Sequence, residues 1–140
     1  MKRTTCMAAI VFFLGSTCWA QSKASFSSYY DGKRYEFEIT EKMLDQTAVW
    51  SESAEAPRHA AQIAQQNLSV FVPNGAKWSL HNIRLSPVGN AWVYLVEFLE
   101  PLPEDGTGLT SITGTVSTFR VVVLMNGEVV KPRITERKLP

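Results

Sequence analysis

The feature that most restricts this chain is one stretch of helical periodicity whose apolar stripe is built mostly from small side chains. Ala56, Ala60, Ile63, Ala64 and Leu68 recur at helical spacing within residues 51–68, while Gln62, Gln65 and Gln66 fall off the stripe. Ser51 or Ser53 can cap the segment, Glu52 and Glu55 suit its positive end, and Pro57 is tolerated in a first turn. A stripe of alanines has little bulk of its own. It suits a helix lying close on a sheet that supplies the large residues. Pro73-Asn74-Gly75 then stops the chain and turns it.

The remaining segments alternate as strands. Tyr35, Phe37 and Ile39 point one way and Arg34, Glu36, Glu38 and Thr40 the other, predicting a half-buried strand with one wet face. Asp31-Gly32 marks a turn before it. Residues 41–50 fit either an extension of this strand or the start of a helix. Residues 77–85 predict a second strand; its apolar positions switch from Trp78 and Leu80 to Ile83 and Leu85, which requires a bulge at His81-Asn82. Ser86-Pro87-Val88-Gly89-Asn90 is a hairpin loop. Residues 91–100 form a third strand, apolar on both faces and therefore central.

Residues 101–115 are polar and rich in Gly and Thr, as in a long loop or hairpin tip. A fourth strand over 116–125 leads to Asn126-Gly127, read as a two-residue type I′ turn with positive φ at both positions. A fifth strand returns over 128–134, confined to an edge by Pro132. The expected fold class is α+β: one helix packed on a bent antiparallel sheet of four to five strands, in the order β-α-β-β-β-β. The domain spans residues 33–134, with a flexible leader at 21–32 and a charged, frayed tail at 135–140.

The first 20 residues read as a secretory signal peptide. Lys2 and Arg3 precede an apolar core of residues 7–14, and Cys18-Trp19-Ala20 places small side chains for cleavage after Ala20. The competing reading lipidates Cys18. The apolar run is too short to span the bilayer, which needs about 20 residues, and no second long apolar run follows. Removing Lys2 and Arg3 leaves 12 basic against 13 acidic residues, a net charge of −1. That balance carries no electrostatic footprint for nucleic acid. Both cysteines, Cys6 and Cys18, lie in the signal, so the mature domain has no disulfide, thiolate metal site or cysteine nucleophile. A cysteine-free exported domain of this size points to the bacterial periplasm, or else the cell exterior.

In element order, and in the stretches Trp92-Val-Tyr-Leu-Val-Glu-Phe98 and Phe119-Arg-Val-Val-Val-Leu-Met-Asn-Gly-Glu-Val-Val130, the chain resembles small exported domains of the cystatin-like and PepSY-like group. The resemblance implies a bent antiparallel sheet around one helix. Cystatins inhibit proteases through a Gln-x-Val-x-Gly hairpin and a second hairpin carrying Pro-Trp. The corresponding loops, 86–90 and Asn126-Gly127, match neither, so protease inhibition is not implied.

No residue set announces catalysis or a cofactor. His59 and His81 lack neighbouring ligands and read as a solvated helix residue and a strand residue beside a bulge. No nucleophile elbow is present, and neither Gly106-Thr107-Gly108 nor Asn74-Gly75-Ala76-Lys77 continues as a phosphate-binding loop does. Glu97, Glu100, Glu104 and Asp105 read as an acidic, solvated hairpin end. Trp78, Trp92, Tyr94 and Phe98 read as core beneath the helix.

If Trp92, Tyr94, Val96 and Phe98 face the helix, Val93, Leu95 and Leu99 face away from it. Together with Arg120, Val122 and Leu124 of the fourth strand they form the candidate interaction face, unless the 101–115 loop folds back over it. The expected function is thus a non-enzymatic, exported binding module acting on a protein partner or a second copy of itself. The alternatives are a small hydrolase or isomerase with a pocket between helix and sheet, and a structural envelope component. A polar, concave pocket holding His59 or His81 beside a carboxylate would mark the enzyme; a solid aromatic core with an apolar outer sheet face would mark the binder.

Overall fold

A computed structural model describes residues 22–44, 56–102 and 116–136. The expected signal peptide, the helix-capping serines and most of the 101–115 loop lie outside the described residues. Strands β1 (Ser22–Tyr30) and β2 (Lys33–Thr40) form a hairpin, followed by a short helix α1 (Glu41–Leu44) and the main helix α2 (Ala56–Phe71). A 3₁₀ turn (Gly75–Lys77) leads to β3 (Ser79–Val88), β4 (Ala91–Leu99), β5 (Thr118–Leu124) and β6 (Arg133–Glu136). The chain is α+β and its sheets are antiparallel. There are two three-stranded sheets, ordered β1-β2-β6 and β3-β4-β5, rather than one sheet of four to five strands.

Three differences from the expected topology have physical causes. Residues 22–28 are not a flexible leader but most of β1. Asp31 and Gly32 both take positive φ, 49° and 69°. That tight turn lays β1 against β2, with Phe26 opposite Phe37 and Ser28 opposite Tyr35. Next, the Asn126-Gly127 turn is not type I′. Only Gly127 has positive φ, at 89°. The Gly127 amide donates to the Leu124 carbonyl at 2.9 Å, and the Leu124 amide donates to the Glu128 carbonyl at 2.8 Å. Met125, Asn126 and Gly127 therefore make a three-residue loop with glycine in the left-handed position.

The third difference is that the returning chain does not run beside β5 to its end. Val129 bridges Val123, but the chain then passes Pro132, which has no N–H to donate. It crosses to the other sheet, where β6 pairs with residues 33–36 of β2. Thr135 and Glu136, expected in the tail, belong to that strand.

Helix α2 follows the predicted stripe, with Ala56, Ala60, Ala64 and Leu68 buried and Ile63 half-buried, and it continues to Phe71. It packs on β3, β4 and β5. Asn74, at φ 55°, turns the chain back onto the helix end. The approach is so close there that a Cβ on Gly75 would lie 2.5 Å from the Ser69 amide nitrogen. Gln65 Nε2 donates to the Gly75 carbonyl at 2.9 Å and ties the turn down.

The core is one aromatic cluster centred on Phe119 of β5. Its ring lies 4.9 Å from Tyr35, 6.3 Å from Phe37, 6.4 Å from Phe71 and 6.2 Å from Trp78, centroid to centroid. One side chain thus touches both sheets, the helix end and the connection into β3. Strand β2 keeps its predicted faces, with Tyr35, Phe37 and Ile39 buried. Strand β4 is central in its sheet and buried on both sides from Val93 to Val96. Strand β3 carries the predicted bulge between Leu80 and Asn82. Trp92, expected in the core, is instead 50% exposed. It lies opposite Pro87 at the hairpin end, beside the Gly89-Asn90 turn.

Candidate functional site

The two sheets meet where β1 runs alongside β5. There the buried Ser28 hydroxyl accepts from the Arg120 amide at 2.9 Å and donates to the Arg120 carbonyl at 3.2 Å. A side chain thereby replaces one rung of a backbone ladder and leaves neither backbone group unsatisfied. A depression of about 280 Å³ opens over this seam, lined by Ser28, Tyr29, Glu97, Val116 and Arg120 among others. Arg120 Nε donates to Glu97 Oε1 at 2.8 Å, and its Nη2 reaches the same oxygen. Burial pushes the Glu97 carboxyl up. The hydrogen bond and charge of Arg120, the charge of Arg84 and a hydrogen bond from Asn82 outweigh this and hold it below the usual carboxylate range. The carboxylate is committed to Arg120, and both hydrogen-bonding roles of the Ser28 hydroxyl are taken by backbone. This geometry positions strands; it does not activate a nucleophile.

The second depression is larger and apolar. About 810 Å³ lies between α2 and the chain from the β5–β6 turn onward. Met43 of α1 and Ile63, Val70 and Phe71 of α2 form one wall; Leu124, residues 127–132 and Ile134 form the other. Val70 is 78% exposed and Ile134 is 53% exposed, so apolar side chains stand in water at the lips of an apolar groove. Glu128 and Lys131 supply its charged groups.

The candidate interaction face is corrected by burial. Val93, Leu95 and Val122 have no exposed surface, and Leu124 is 4% exposed. Leu99 and Arg120 are half-buried, the latter in its pair with Glu97. These residues do not form an open apolar surface, because β4 and β5 are packed on both sides. Residues 103–115, the expected cover for that face, lie outside the described residues. The acidic group is dispersed: Glu97 pairs with Arg120, Glu100 interacts with Tyr30, and Glu104 and Asp105 lie outside the described residues. His59 and His81 are both exposed and line neither depression. Among the described residues, no three His, Cys, Asp or Glu side chains group as metal ligands. Also among them, no helix is long and apolar enough to cross a membrane.

Compared with protein-family models, curated proteins and solved structures, the chain matches none. The site has to be read from its own geometry.

The groove went unseen in the sequence because half of it comes from the chain's unexpected crossing to β2 after Pro132. The helical half did leave a signal. Ile63, the one member of the predicted stripe left half-buried, stands one heptad before Val70 on α2 with Asn67 between them, and the two apolar residues make a second row beside the alanines. That second row is apolar where a solvated helix face would be polar.

Proposed function

We propose that this chain is a small non-enzymatic binding module, exported to the periplasm, that holds a ligand with an apolar body in the groove between α2 and residues 127–134. The observation that carries this reading is the exposure of Val70 and Ile134 at the lips of a groove whose other lining is largely apolar. The volume supports it, since pockets for small ligands run from about 300 to 1,000 Å³ and are mostly apolar with a few polar groups. In this reading residues 1–20 are removed on export. The architecture is a variant of the cystatin-like arrangement, one helix against antiparallel strands, without the inhibitory loops.

Titration with an environment-sensitive apolar dye such as anilinonaphthalene sulfonate tests the groove. Val70→Asp and Ile134→Asp should each weaken dye binding by roughly tenfold while leaving the melting temperature near that of the parent, because both side chains are already in water. Equal dye binding by the parent and both variants would overturn the assignment. Mass spectrometry of the native protein would then identify any apolar molecule that travels with it.

A further inference from the structure

Strand β3 is the outermost strand of its sheet, and among the described residues nothing pairs with its outer edge. It is ten residues long and exposed over most of that length. The register places Leu80 beside Phe98, Ile83 beside Val96 and Leu85 beside Tyr94 on one face. Leu80 is 48% and Leu85 43% exposed, so the apolar face of the sheet runs out into water along this edge. An apolar strand with an open edge is a template for another strand. None of its residues lines either depression.

We propose that a second copy of this chain pairs with β3, antiparallel about a two-fold axis through Ile83, joining two three-stranded sheets into one sheet of six. A strand paired about a two-fold axis must complement itself, and β3 does so in this register. Ile83 meets the partner's Ile83, and Asn82 meets the partner's Arg84. The bulge between Leu80 and Asn82 absorbs His81, so Leu80 comes opposite the partner's Leu85. Both exposed leucines of the strand are covered.

The opposite face complements in charge. Arg120, Glu97 and Asn82 form one cross-strand row, and the pairing extends that row to the partner's Arg84. Glu97 already has Arg120, its own Arg84 and the Asn82 amide about it; the pairing sets the partner's Arg84 beside Asn82, at the open end of that row. Centring the axis on Arg84 instead would set two arginines directly opposite one another, which is unfavourable. The pairing runs across the bulge from Leu80 to Leu85 of each copy, and Pro87, which lacks an N–H, ends it beyond that.

Sedimentation velocity on the purified protein over a concentration series should resolve a monomer–dimer equilibrium. Ile83→Lys sets two ammonium groups against each other on the axis and should raise the dissociation constant at least tenfold. Asn82→Lys, at an exposed position, opposes the partner's Arg84 and should weaken the dimer by roughly tenfold; adding Arg84→Glu to the same chain should restore it. A monomer at every soluble concentration overturns the proposal. So does a dimer indifferent to both lysine substitutions, or a dimer weakened by Asn82→Lys that the added Arg84→Glu fails to restore.

Discussion

The two sheets solve the same problem in opposite ways. In β1-β2-β6, the middle strand buries Tyr35, Phe37 and Ile39 and leaves its other face to charge. Arg34 reaches Glu36 at 3.0 Å, and Arg133 of β6 reaches Glu36 at 2.7 Å and Glu38 at 3.1 Å. In β3-β4-β5, the middle strand is buried on both faces, and its one charged interior residue, Glu97, is held by Arg120. A half-wet strand tells its two faces apart by polarity. A strand apolar on both sides carries no such information, and its neighbours decide what each face touches.

Substitutions in the two middle strands put this difference to the test. Leu95→Glu should unfold the protein, since it places an unpaired carboxylate at a fully buried position of β4. A folded variant with a normal melting curve would mean that β4 has a wet face after all. Phe119→Ala comes next, with an expected loss of about 3–5 kcal/mol in denaturant unfolding. The ring links both sheets, so the loss should be cooperative; separate transitions would show two independently stable sheets. Ser28→Ala should lose about 1–3 kcal/mol, because it leaves the Arg120 amide and carbonyl without their partner at the seam. An unchanged stability would show that water replaces the hydroxyl there. Smallest is Glu38→Gln on the wet face of β2, where screened surface pairs matter little; its melting temperature should stay almost unchanged.

Acid separates the sheets further. Glu97 has a folded pKa below its ordinary value of about 4.3. Its contribution is therefore complete above that value and is lost as the pH falls through the lower folded one. Glu97→Gln should be less stable than the parent at neutral pH, and the gap should close as the pH falls below the ordinary carboxylate range. A gap of constant size would mean that Arg120 holds the neutral side chain as well as the charged one.

How far the sequence could be read follows from these contrasts. Strand β2, the alanine stripe of α2, the bulge in β3 and the central place of β4 were each legible, because each leaves a periodic or broken-periodic pattern. Strand β1 was not. Ala24, Phe26, Ser28 and Tyr30 alternate inward, but two of the four are small, and the segment reads by composition as a leader. The sheet switch at Pro132 was half legible, since proline announced an edge but not whose edge. The faces of β4 were illegible for the reason given above, and with them the buried positions Val93, Leu95 and Val122. The groove combined a helix row too short to stand out with a crossing that no local pattern records.

The hydroxyl of Ser28 gives the molecule a seam that can be timed. Elsewhere the sheets are closed by ladders whose rungs protect one another, so an amide in them exchanges with solvent only when a whole strand lets go. The Arg120 amide is held across the seam by one side chain from β1. Rotation of that hydroxyl and a slight parting of β1 from β5 are enough to release it. Hydrogen exchange at Arg120 should therefore run ahead of its β5 neighbours Val121 and Val123, making one amide a clock for the breathing of the joint between the two halves of the fold.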